Sequence, residues 1–448
     1  MSTFSRPTQT VDSINALESV LYFSHIPKTG GTSFTAILDR FFDVKDIFQP
    51  QLWWEVGDVE AVKKRTYKCI RGHFGIGAQI LSNHQLKTLT VLRDPVRMAY
   101  STYQYVKRES NTAVHNYVIE NQLTFEDFLQ DNRTRNLAKN RLVKSLSFGL
   151  GFVAIQKDLV MTPETYKLYR KQLNQEIKEM TSAQKLEFVK NYIDSCFWVG
   201  ILEDFERSLM LLSYQMSWPV IGSTEKLNSH PNKPEISEQA VALVKQINSL
   251  DYELYEYAKA SFQGKFKTLL EENNINENDK KFRELVDKKY QKNQFEHNQT
   301  SMPEHIIYDF SKPLFGQNWH NREWIEAESV YFRWTGPEVA TSIDFWLKPQ
   351  DYAVSLSFAN LSDYELLNNL EIRVNDSVVD WNVKNDGRMG VIYFLCKASY
   401  CQQNGLLRIQ MITGNLPTHD SVFNSHDGRK VGFAMKSITI QKQEHVDS

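Results

Sequence analysis

The sequence predicts an α/β domain, built on a parallel β-sheet flanked by helices, followed by an all-β sandwich domain. Up to about residue 265, short continuous apolar runs alternate with longer helical patterns. From about residue 303, short segments of alternating polarity are separated by Gly, Asn and Asp turns. Continuous apolar runs are typical of parallel strands buried on both faces, and alternation is typical of half-exposed antiparallel strands. We therefore divide the chain into residues 1–265, 266–302 and 303–448.

The first domain contains four short apolar runs that predict buried strands, and helical patterns lie between and after them. The predicted strands are Val20–His25, Tyr67–Arg71, Thr88–Leu92 and Phe197–Ile201. The predicted helices are Ser33–Phe42, Pro95–Lys107, Glu164–Met180 and Phe205–Met216, with a further amphipathic pattern over Glu238–Phe266. Strands that alternate with helices in this way form a parallel sheet with helices on both faces.

Beyond about residue 265, the composition and then the hydrophobic pattern of the chain change. Residues Lys267–Thr300 are rich in Lys, Glu, Asn and Gln, which predicts a charged, exposed helix and linker. Beyond them, several short alternating strands at regular spacing predict a β-sandwich. The predicted strands are Tyr352–Phe358, Leu370–Val374, Gly390–Leu395, Leu406–Met411 and Phe433–Ile440.

The composition is that of a globular protein, with 41% hydrophobic and 24% charged residues among 448. The formal net charge of -2 argues against general nucleic-acid binding but leaves room for a local basic pocket. The polar N-terminus lacks the apolar stretch of a signal peptide, and no run approaches the roughly 20 apolar residues of a membrane span. We therefore expect a cytoplasmic protein with no transmembrane segment. Because the four cysteines are too few for a disulfide framework, we expect reduced thiols; zinc binding by Cys396 and Cys401 is the less favoured interpretation.

The segment from Ser24 to Ser33 (SHIPKTGGTS) has the chemistry of a phosphate-binding loop. It follows an apolar strand and opens a helix, whose free N–H groups favour an anion. Gly30 and Gly31 allow a tight turn and a close approach to a ligand. Lys28 adds a cation, and hydroxyl donors are present at Thr29, Thr32 and Ser33. Since the lysine precedes the glycine pair, this is not the Walker motif; an ordinary helix start with an incidental lysine is the alternative.

A second segment, Thr90–Arg97 (TVLRDPVR), repeats the arrangement of strand, turn and helix. Pro95 stands where helices favour it. Arg93, at the end of the strand, can bind a phosphate with two parallel hydrogen bonds. Ser101 lies two turns into the helix, at a spacing that lets both residues reach one anion. Taken alone, Arg93 and Asp94 could form a structural ion pair.

Together, HIPKTGGTS and LRDPVRMAYSTY resemble the two PAPS-binding motifs of the carbohydrate-type sulfotransferases, including the heparan sulfate 2-O-sulfotransferase group. The resemblance covers roughly residues 18–265 and includes Phe197–Phe205 and Asp251–Phe262. It implies a P-loop-like fold and PAPS (3'-phosphoadenosine 5'-phosphosulfate) as donor. Lys28, Thr29, Gly30, Gly31, Thr32 and Ser33 would hold the 5'-phosphosulfate, and Arg93 and Ser101 would hold the 3'-phosphate.

The candidate catalytic base is His73, directly after the second predicted strand, where open α/β sheets bind ligands. The heparan 2-O-sulfotransferase group has a catalytic histidine after a glycine at this place, which Gly72 and His73 match. Arg71 departs from that group, which has a second histidine there. A structural histidine is the alternative. Lys28 would also be catalytic, since it can stabilise charge on the leaving group, and we expect His25 to pack beneath the loop.

Three weaker sequence signals surround these motifs. The basic stretch Asn136–Ser147 could face an anionic ligand or solvent, and Asn228 to His230 lie where relatives close over the donor. We expect no metal, because PAPS is already activated and no HExxH, DxD or carboxylate cluster is present. The C-terminal segments containing Trp319 and Trp334 look similar to a sandwich module appended to bacterial glycan-modifying enzymes. Burial of these residues and Trp346 in the core is favoured over stacking on sugars.

The sequence therefore predicts a PAPS-dependent enzyme, from a bacterium, that sulfates a hydroxyl of an acceptor, most readily a carbohydrate. One alternative is a nucleotide-dependent kinase, which would require a Walker lysine and a magnesium-binding acid. The other is a non-catalytic glycan-binding protein, although Lys28, His73, Arg93 and Ser101 are all intact.

Overall fold

The computed structural model describes residues 19–151, 159–170, 175–222, 235–276, 279–298 and 302–443. The helices are α1 Gly31–Leu38, α2 Val59–Lys64, α3 Pro95–Arg108, α4 His115–Glu120, α5 Phe125–Gln130, α6 Arg141–Leu146, α7 Pro163–Tyr169, α8 Gln175–Glu179, α9 Ser182–Ser195, α10 Phe205–Met216, α11 Glu238–Ile247, α12 Ser249–Glu272, α13 Asp279–Asn298, α14 Glu365–Asn368 and α15 His419–Phe423. The strands before residue 300 are β1 Ser19–Ser24, β2 Ile47–Phe48, β3 Gly57–Asp58, β4 Cys69–Gly72, β5 Gln85–Leu92, β6 Val160–Met161 and β7 Trp198–Ile201. The later strands are β8 His305–Asp309, β9 Gly316–Gln317, β10 Trp319–Ile325, β11 Val330–Thr335, β12 Ala340–Trp346, β13 Tyr352–Leu361, β14 Glu371–Val374, β15 Ser377–Val379, β16 Trp381–Asp386, β17 Met389–Cys396, β18 Leu406–Ile412 and β19 Phe433–Lys442.

The N-terminal part contains the predicted parallel sheet. Its described strands follow the order β2-β4-β1-β5-β7, and every neighbouring pair is parallel. The register aligns Ser24 of β1 with Gly72 of β4 on one side and with Thr90 of β5 on the other. The strand order reverses at β1, since the chain first builds β4 and β2 on one side and then β5 and β7 on the other. The carboxyl ends of β4, β1 and β5 therefore lie at the switch point of the strand order, where open α/β sheets bind ligands.

Helices cover both faces of this sheet, as the alternation of β1 shows. Leu21 and Phe23 point into one core with helices α1, α9, α10 and α12. Val20 and Tyr22 point into the other, which includes Val59 of α2. Successive side chains of a strand point to opposite faces, so both faces of β1 are buried. This burial explains why the strand is a continuous apolar run.

The four predicted strands and the helices at Pro95 and Phe205 are confirmed within a few residues. Three differences have local causes. The predicted helix over Glu238–Phe266 is two helices, because Asn248 ends α11 and α12 begins at the next residue. The edge strand β2, only two residues long, was missed along with α9, whose apolar stripe of Leu186, Val189 and Ile193 is interrupted by charged residues.

The C-terminal part is an antiparallel all-β, sandwich-like domain. Its described strands form one sheet of order β10-β11-β19-β13-β17-β16, with β8 paired to β19, and a second of order β15-β14-β18-β12-β9. Residues from both sheets, among them Leu356 and Ile409, share one core. The five predicted strands are present. Trp319, Trp334 and Trp346 are all buried, as predicted, and Trp319 packs in the shared core of the sandwich. Trp334 packs instead in a small cluster with Val431, and Trp346 in one with Tyr290 of α13.

Helix α13 confirms the predicted helix within Lys267–Thr300 but corrects the expectation that it is exposed. Phe282, Val286 and Tyr290 recur every four residues and are fully buried. Phe282 and Val286 join the core of the N-terminal domain. Tyr290 instead packs edge-on against Trp346 of the sandwich, with ring centroids 6.2 Å apart. The polar composition therefore belongs to the outer face of a helix that contacts both domains.

Direct contacts also join the two domains around the end of α1. The amide of Leu314 donates to the carbonyl of Arg40 at 2.6 Å. Phe41 stacks on Trp218 at 4.0 Å and lies 6.2 Å from Phe315, centroid to centroid. The sandwich is therefore packed against the α/β domain rather than tethered to it. None of the helices in the described ranges has an apolar stretch long enough to cross a membrane.

Because Tyr290 fills the space between α13 and the sandwich, Tyr290→Ala should lower the free energy of unfolding by about 3–5 kcal/mol, the usual cost of deleting a buried aromatic ring. Urea unfolding followed by circular dichroism measures the change. Tyr393→Ala is the matched control, since this ring is 46% exposed. Equal, small effects of the two substitutions would contradict the packing of α13 against the sandwich.

Candidate functional site

Three neighbouring strand ends bring the predicted motifs together at one edge of the parallel sheet. The loop from His25 to Gly30 follows β1, His73 follows β4, and Arg93 follows β5. β1 pairs directly with both other strands. Residues that are widely separated in sequence therefore converge because the sheet places β1 between β4 and β5.

The loop after β1 leaves the start of α1 open to an anion. Lys28 and Gly30 have positive φ angles of 71° and 82°, which turn the chain sharply into the helix. No side chain caps α1, and its first hydrogen bond runs from the Phe34 amide to the Gly30 carbonyl at 3.1 Å. The amides of Gly31, Thr32 and Ser33 therefore have no side-chain acceptor and can receive an anion.

Both positions of the loop favour glycine, Gly31 because of close packing and Gly30 mainly because of its positive φ. A Cβ atom on Gly31 would lie 1.9 Å from the His25 imidazole, and one on Gly30 would lie 2.6 Å from Leu202. His25 therefore packs beneath the loop, as the sequence predicted. Its Nδ1 is buried without a hydrogen-bond partner. Burial, together with the neighbouring His73 and Lys28, lowers the pKa of His25 to about 3, so this imidazole is neutral.

The hydroxyl groups of the loop have different surroundings. Thr29 is fully buried, and its hydroxyl donates to the Ile26 carbonyl at 2.9 Å. This corrects the expectation that the Thr29 hydroxyl contributes to binding, because it stabilises the loop from within. Thr32 is exposed and Ser33 half-buried. Both lie in the uncapped first turn of α1, so their hydroxyls remain candidates for binding.

Arg93 connects the two motifs. Its Nη1 donates to the carbonyl of Lys28 at 3.0 Å, while its Nε is buried without a partner. Asp94, predicted as a possible ion-pair partner, instead caps α3 by accepting from the Arg97 amide at 2.9 Å. Glu203 holds the turn, since it accepts from the Asp94 amide at 3.2 Å and from the Tyr255 hydroxyl at 2.9 Å. One edge of the Arg93 guanidinium thus remains available to a ligand.

Helix α3 contacts the loop through Tyr105, near its C-terminal end. The Lys28 ammonium lies over the ring of Tyr105, 4.2 Å from its centroid. Ser101 is four residues before Tyr105 and so lies on the same face of α3. Its hydroxyl makes no hydrogen bond to the described residues, and its side chain is half-buried. The predicted group of Lys28, Arg93 and Ser101 is therefore compatible with one shared ligand.

Several cationic side chains lie near the loop, together with the acids Glu109 and Glu203. Burial and the positive charges of Arg108, Arg141 and Arg93 lower the pKa of Lys28 to about 8. Burial also lowers the pKa of Arg93. Charges of one sign that lie close together and partly out of water favour the binding of an opposite charge. The arrangement matches a ligand with several anionic groups.

The surroundings of His73 fix which of its ring nitrogens carries the proton. Its Nδ1 lies 2.7 Å from the backbone carbonyl of His25. Because a carbonyl can only accept, Nδ1 carries the proton and Nε2 keeps the lone pair of the neutral ring. Burial is the main cause that lowers the pKa of His73, against the opposing hydrogen bond to His25. At neutral pH this imidazole is therefore unprotonated and able to accept a proton at Nε2.

The chain around His73 is tightly constrained. The His73 amide donates to the carbonyl of Gln51 at 2.8 Å. A Cβ on Gly72 would lie 2.5 Å from that same carbonyl oxygen, so only glycine fits before the histidine. Arg71, at the position where the heparan group has another histidine, is buried and forms a two-fold ion pair with Asp39 at 2.7 and 3.0 Å. Its role is structural.

Arg141 belongs to the site and was identified from sequence only as part of a basic stretch. Its positive charge lowers the pKa of both Lys28 and His73, so its guanidinium lies within electrostatic range of both. Asp251 of α12 positions the start of α6 by accepting from the amides of Leu142 and Val143 at 2.9 and 3.0 Å. In the sequence, Asp251 stands in a segment that resembles the sulfotransferases. Its partner Leu142 lies 109 residues away, so the sequence alone did not connect Asp251 with α6.

Asn228 to His230 lie outside the described residues. Within the described ranges, no group of three or more His, Cys, Asp or Glu side chains is arranged to hold a metal ion. The four cysteines are free thiols, with Cys401 partly exposed and the others buried.

No protein-family model matches this chain. No curated protein sequence matches it either. Among solved structures, the chain is similar to the native structure of a family 35 carbohydrate-binding module from Clostridium thermocellum. The identity is 13% and the TM-score 0.22, over 32% of this chain and 100% of that chain. The two chains share too little geometry for this likeness to indicate a function.

The buried Asp251 carboxylate should give the protein a distinctive pH dependence. Burial, opposed by the hydrogen bonds from α6, raises its pKa to about 6, above the value of about 3.9 in an unfolded chain. The folded protein therefore binds this proton more tightly, and the contribution of Asp251 to stability is lost as pH rises from about 4 to 6.

The difference in unfolding free energy between wild type and Asp251→Asn should therefore fall over this pH range, by roughly 2–3 kcal/mol. Urea unfolding at a series of pH values measures it. Asp376→Asn, in a turn of the sandwich, serves as the control. A flat difference would show that Asp251 is not a buried carboxylate that caps α6.

Proposed function

We propose that this protein is a sulfotransferase that transfers the sulfuryl group of PAPS to a hydroxyl of an acceptor, on a P-loop-like α/β fold. The observation that carries the proposal is the hydrogen bond between Arg93 and the Lys28 carbonyl. It joins the two motifs at adjacent strand ends, beside the uncapped start of α1. One nucleotide with phosphate groups at both ends could contact both motifs at once.

The residues that would hold the donor each have suitable free groups. The amides of Gly31, Thr32 and Ser33, with the hydroxyls of Thr32 and Ser33, would bind the 5'-phosphosulfate. Lys28 would bind its bridging oxygen. The Nε edge of Arg93, buried and without a partner, and the unpaired hydroxyl of Ser101 would bind the 3'-phosphate. Thr29 and Gly30 would contribute through the backbone conformation of the loop.

PAPS supplies an activated sulfuryl group on a phosphosulfate anhydride, which makes a metal unnecessary. His73 Nε2 would accept the proton of the acceptor hydroxyl as the new oxygen–sulfur bond forms. A positioned base of this kind typically contributes about 10²–10⁴-fold to the rate. Lys28 would stabilise the negative charge that develops on the leaving phosphate oxygen, and Arg141 would add positive charge close to both groups.

The acceptor we propose is a carbohydrate. Support comes from the resemblance of the motifs to the carbohydrate-type sulfotransferases and from the presence of a second, sandwich-like domain packed against the first. A bacterial source and a cytoplasmic location stay predictions of the sequence.

Substitution of Lys28 tests donor binding. Lys28→Ala removes one charge-assisted contact, worth about 1.5–3 kcal/mol, so the affinity for PAP (the desulfonated product) should fall roughly 10- to 150-fold. Calorimetric titration of PAP measures it. Lys267→Ala, a side chain that is 77% exposed on α12, should leave the affinity unchanged. Wild-type affinity in folded Lys28→Ala would rule out the loop as the donor site.

Substitution of His73 tests the chemical step. His73→Ala should keep the affinity for PAP and lose about 10²–10⁴-fold in transfer of radiolabelled sulfate to extracted glycans. Because burial lowers the pKa of His73, kcat/KM of the wild type should stay constant down to about pH 6.5 and fall only below it. The exposed His305 provides a control in His305→Ala. Full activity in His73→Ala, or an acid limb above pH 7, would exclude His73 as the base.

A further inference from the structure

A group of basic side chains is buried between the two domains, away from the strand ends described above. Arg40 follows α1, Arg322 lies on β10, and Arg333 lies on β11, next to Tyr308 of β8. Arg40 is 5% exposed, Arg333 is not exposed, and Tyr308 is 7% exposed. We call these four residues the interdomain arginine cluster.

Among the described residues, the hydrogen bonds of the three guanidinium groups go only to backbone carbonyls. Arg40 donates to Gly316 at 3.0 Å, and Arg333 to His320 at 2.8 Å. Arg322 donates to the carbonyls of Phe310, Phe42 and Lys312. Several buried donors have no partner, namely Nε of Arg40, Nε and Nη2 of Arg333, and the hydroxyl of Tyr308. Buried donors are normally satisfied, because an unmade hydrogen bond costs about 1–3 kcal/mol.

The positive charges of the cluster are not balanced by the nearby acids. Burial and the charges of Arg322 and Arg40 lower the pKa of Arg333 to about 9. Asp39 is already bound by Arg71, and Asp43 by Lys312 at 3.1 Å. Charges that are buried in proteins are usually paired, because an uncompensated one is strongly destabilising. Asp39 and Asp43 therefore offset the charge of the cluster only in part, since each is also paired with another cation.

The free donors of Arg333 indicate the kind of anion. Nε and Nη2 lie along one edge of the guanidinium plane and point in parallel, which matches two oxygens of one oxyanion. Arg40 Nε and the Tyr308 hydroxyl supply two further donors within the same cluster. We propose that the interdomain arginine cluster is a binding site for a small inorganic oxyanion of the sulfate or phosphate class.

Such an anion would stabilise the contact between the domains. The carbonyl of Arg40 already accepts from the Leu314 amide, and Arg333 and Tyr308 belong to the sandwich. An anion between them would neutralise charge that the two domains bring together. This site is independent of the proposed sulfotransferase activity, since none of its residues belongs to the donor loop.

The test is thermal unfolding of the full chain while sulfate, phosphate or chloride is added, with ionic strength held constant by sodium gluconate. For sulfate and phosphate we expect a saturable increase in stability. At ten times the dissociation constant, the unfolding equilibrium constant should fall about tenfold. Chloride should act only at higher concentration, since it cannot use two parallel donors. Equal action by chloride, or no saturable effect, would overturn the proposal.

Variants separate this site from the donor loop, which also favours oxyanions. In a Lys28→Gln background, in which oxyanion binding at the loop is weakened, sulfate should still stabilise the protein, and adding Arg333→Gln or Arg40→Gln should abolish that effect. Arg373→Gln, a partly exposed arginine paired with Glu371, is the control. If Lys28→Gln abolished the effect and Arg333→Gln did not, sulfate would bind at the loop and the proposal would be wrong.

A direct location does not depend on the folding of any variant. Wild-type crystals grown in selenate, a sulfate analogue, should show an anomalous selenium peak within hydrogen-bond distance of Arg333 Nε and Nη2. Water alone at this position would overturn the proposal.

Discussion

The hydrogen bond from Arg93 to the carbonyl of Lys28, 3.0 Å long, is the contact on which the candidate site depends. Lys28 has a left-handed backbone conformation, φ 71°, which costs a residue with a Cβ about 1–2 kcal/mol. The bond to a charged donor is of similar size, about 1.5–3 kcal/mol, and the Lys28 ammonium gains further from Tyr105. Without Arg93, the loop would lose the contact that holds its strained residue in place. The strained turn directs the following amides outward, so strain and function lie at the same residue.

The two histidines are arranged so that neither is charged. Their rings lie 4.2 Å apart, centroid to centroid, so two protonated imidazoles would repel each other in a partly dry site. His25 supports the loop from beneath and also supplies the carbonyl that fixes the proton of His73 on Nδ1. The same residue therefore shapes the anion-binding turn and sets the tautomer of the candidate base. A displacement of the His25 ring would therefore disturb both the anion-binding turn and the tautomer of His73.

Features set by local sequence could be predicted, and those set by distant contacts could not. The strand, turn and helix around Lys28 and Arg93 follow from short-range patterns, and the parallel sheet brings their ends together. The inward direction of the Thr29 hydroxyl, the contact of Asp251 with α6 and the place of Arg141 beside Lys28 all depend on tertiary packing. Helix α13 lies between these two cases, because it was predicted as a helix but not as a buried one. Its four-residue spacing of Phe282, Val286 and Tyr290 was present in the sequence but was obscured by the charged residues around it.

Helix α1 and the turn that follows it link the donor loop, the strand before His73 and the sandwich domain. The first residues of α1 form the anion-binding turn. Just beyond its end, Asp39 holds Arg71, two residues before His73, and the next residue, Arg40, contacts the sandwich through Gly316. A helix of eight residues is about 12 Å long and stiff over that length. A shift of the sandwich against Arg40 would therefore move the donor loop at the other end of α1. It would also move β4, the strand that precedes His73, through the ion pair of Asp39 with Arg71. For this reason the second domain is part of the framework that positions the site, and its removal would act on the site geometry as well as on stability.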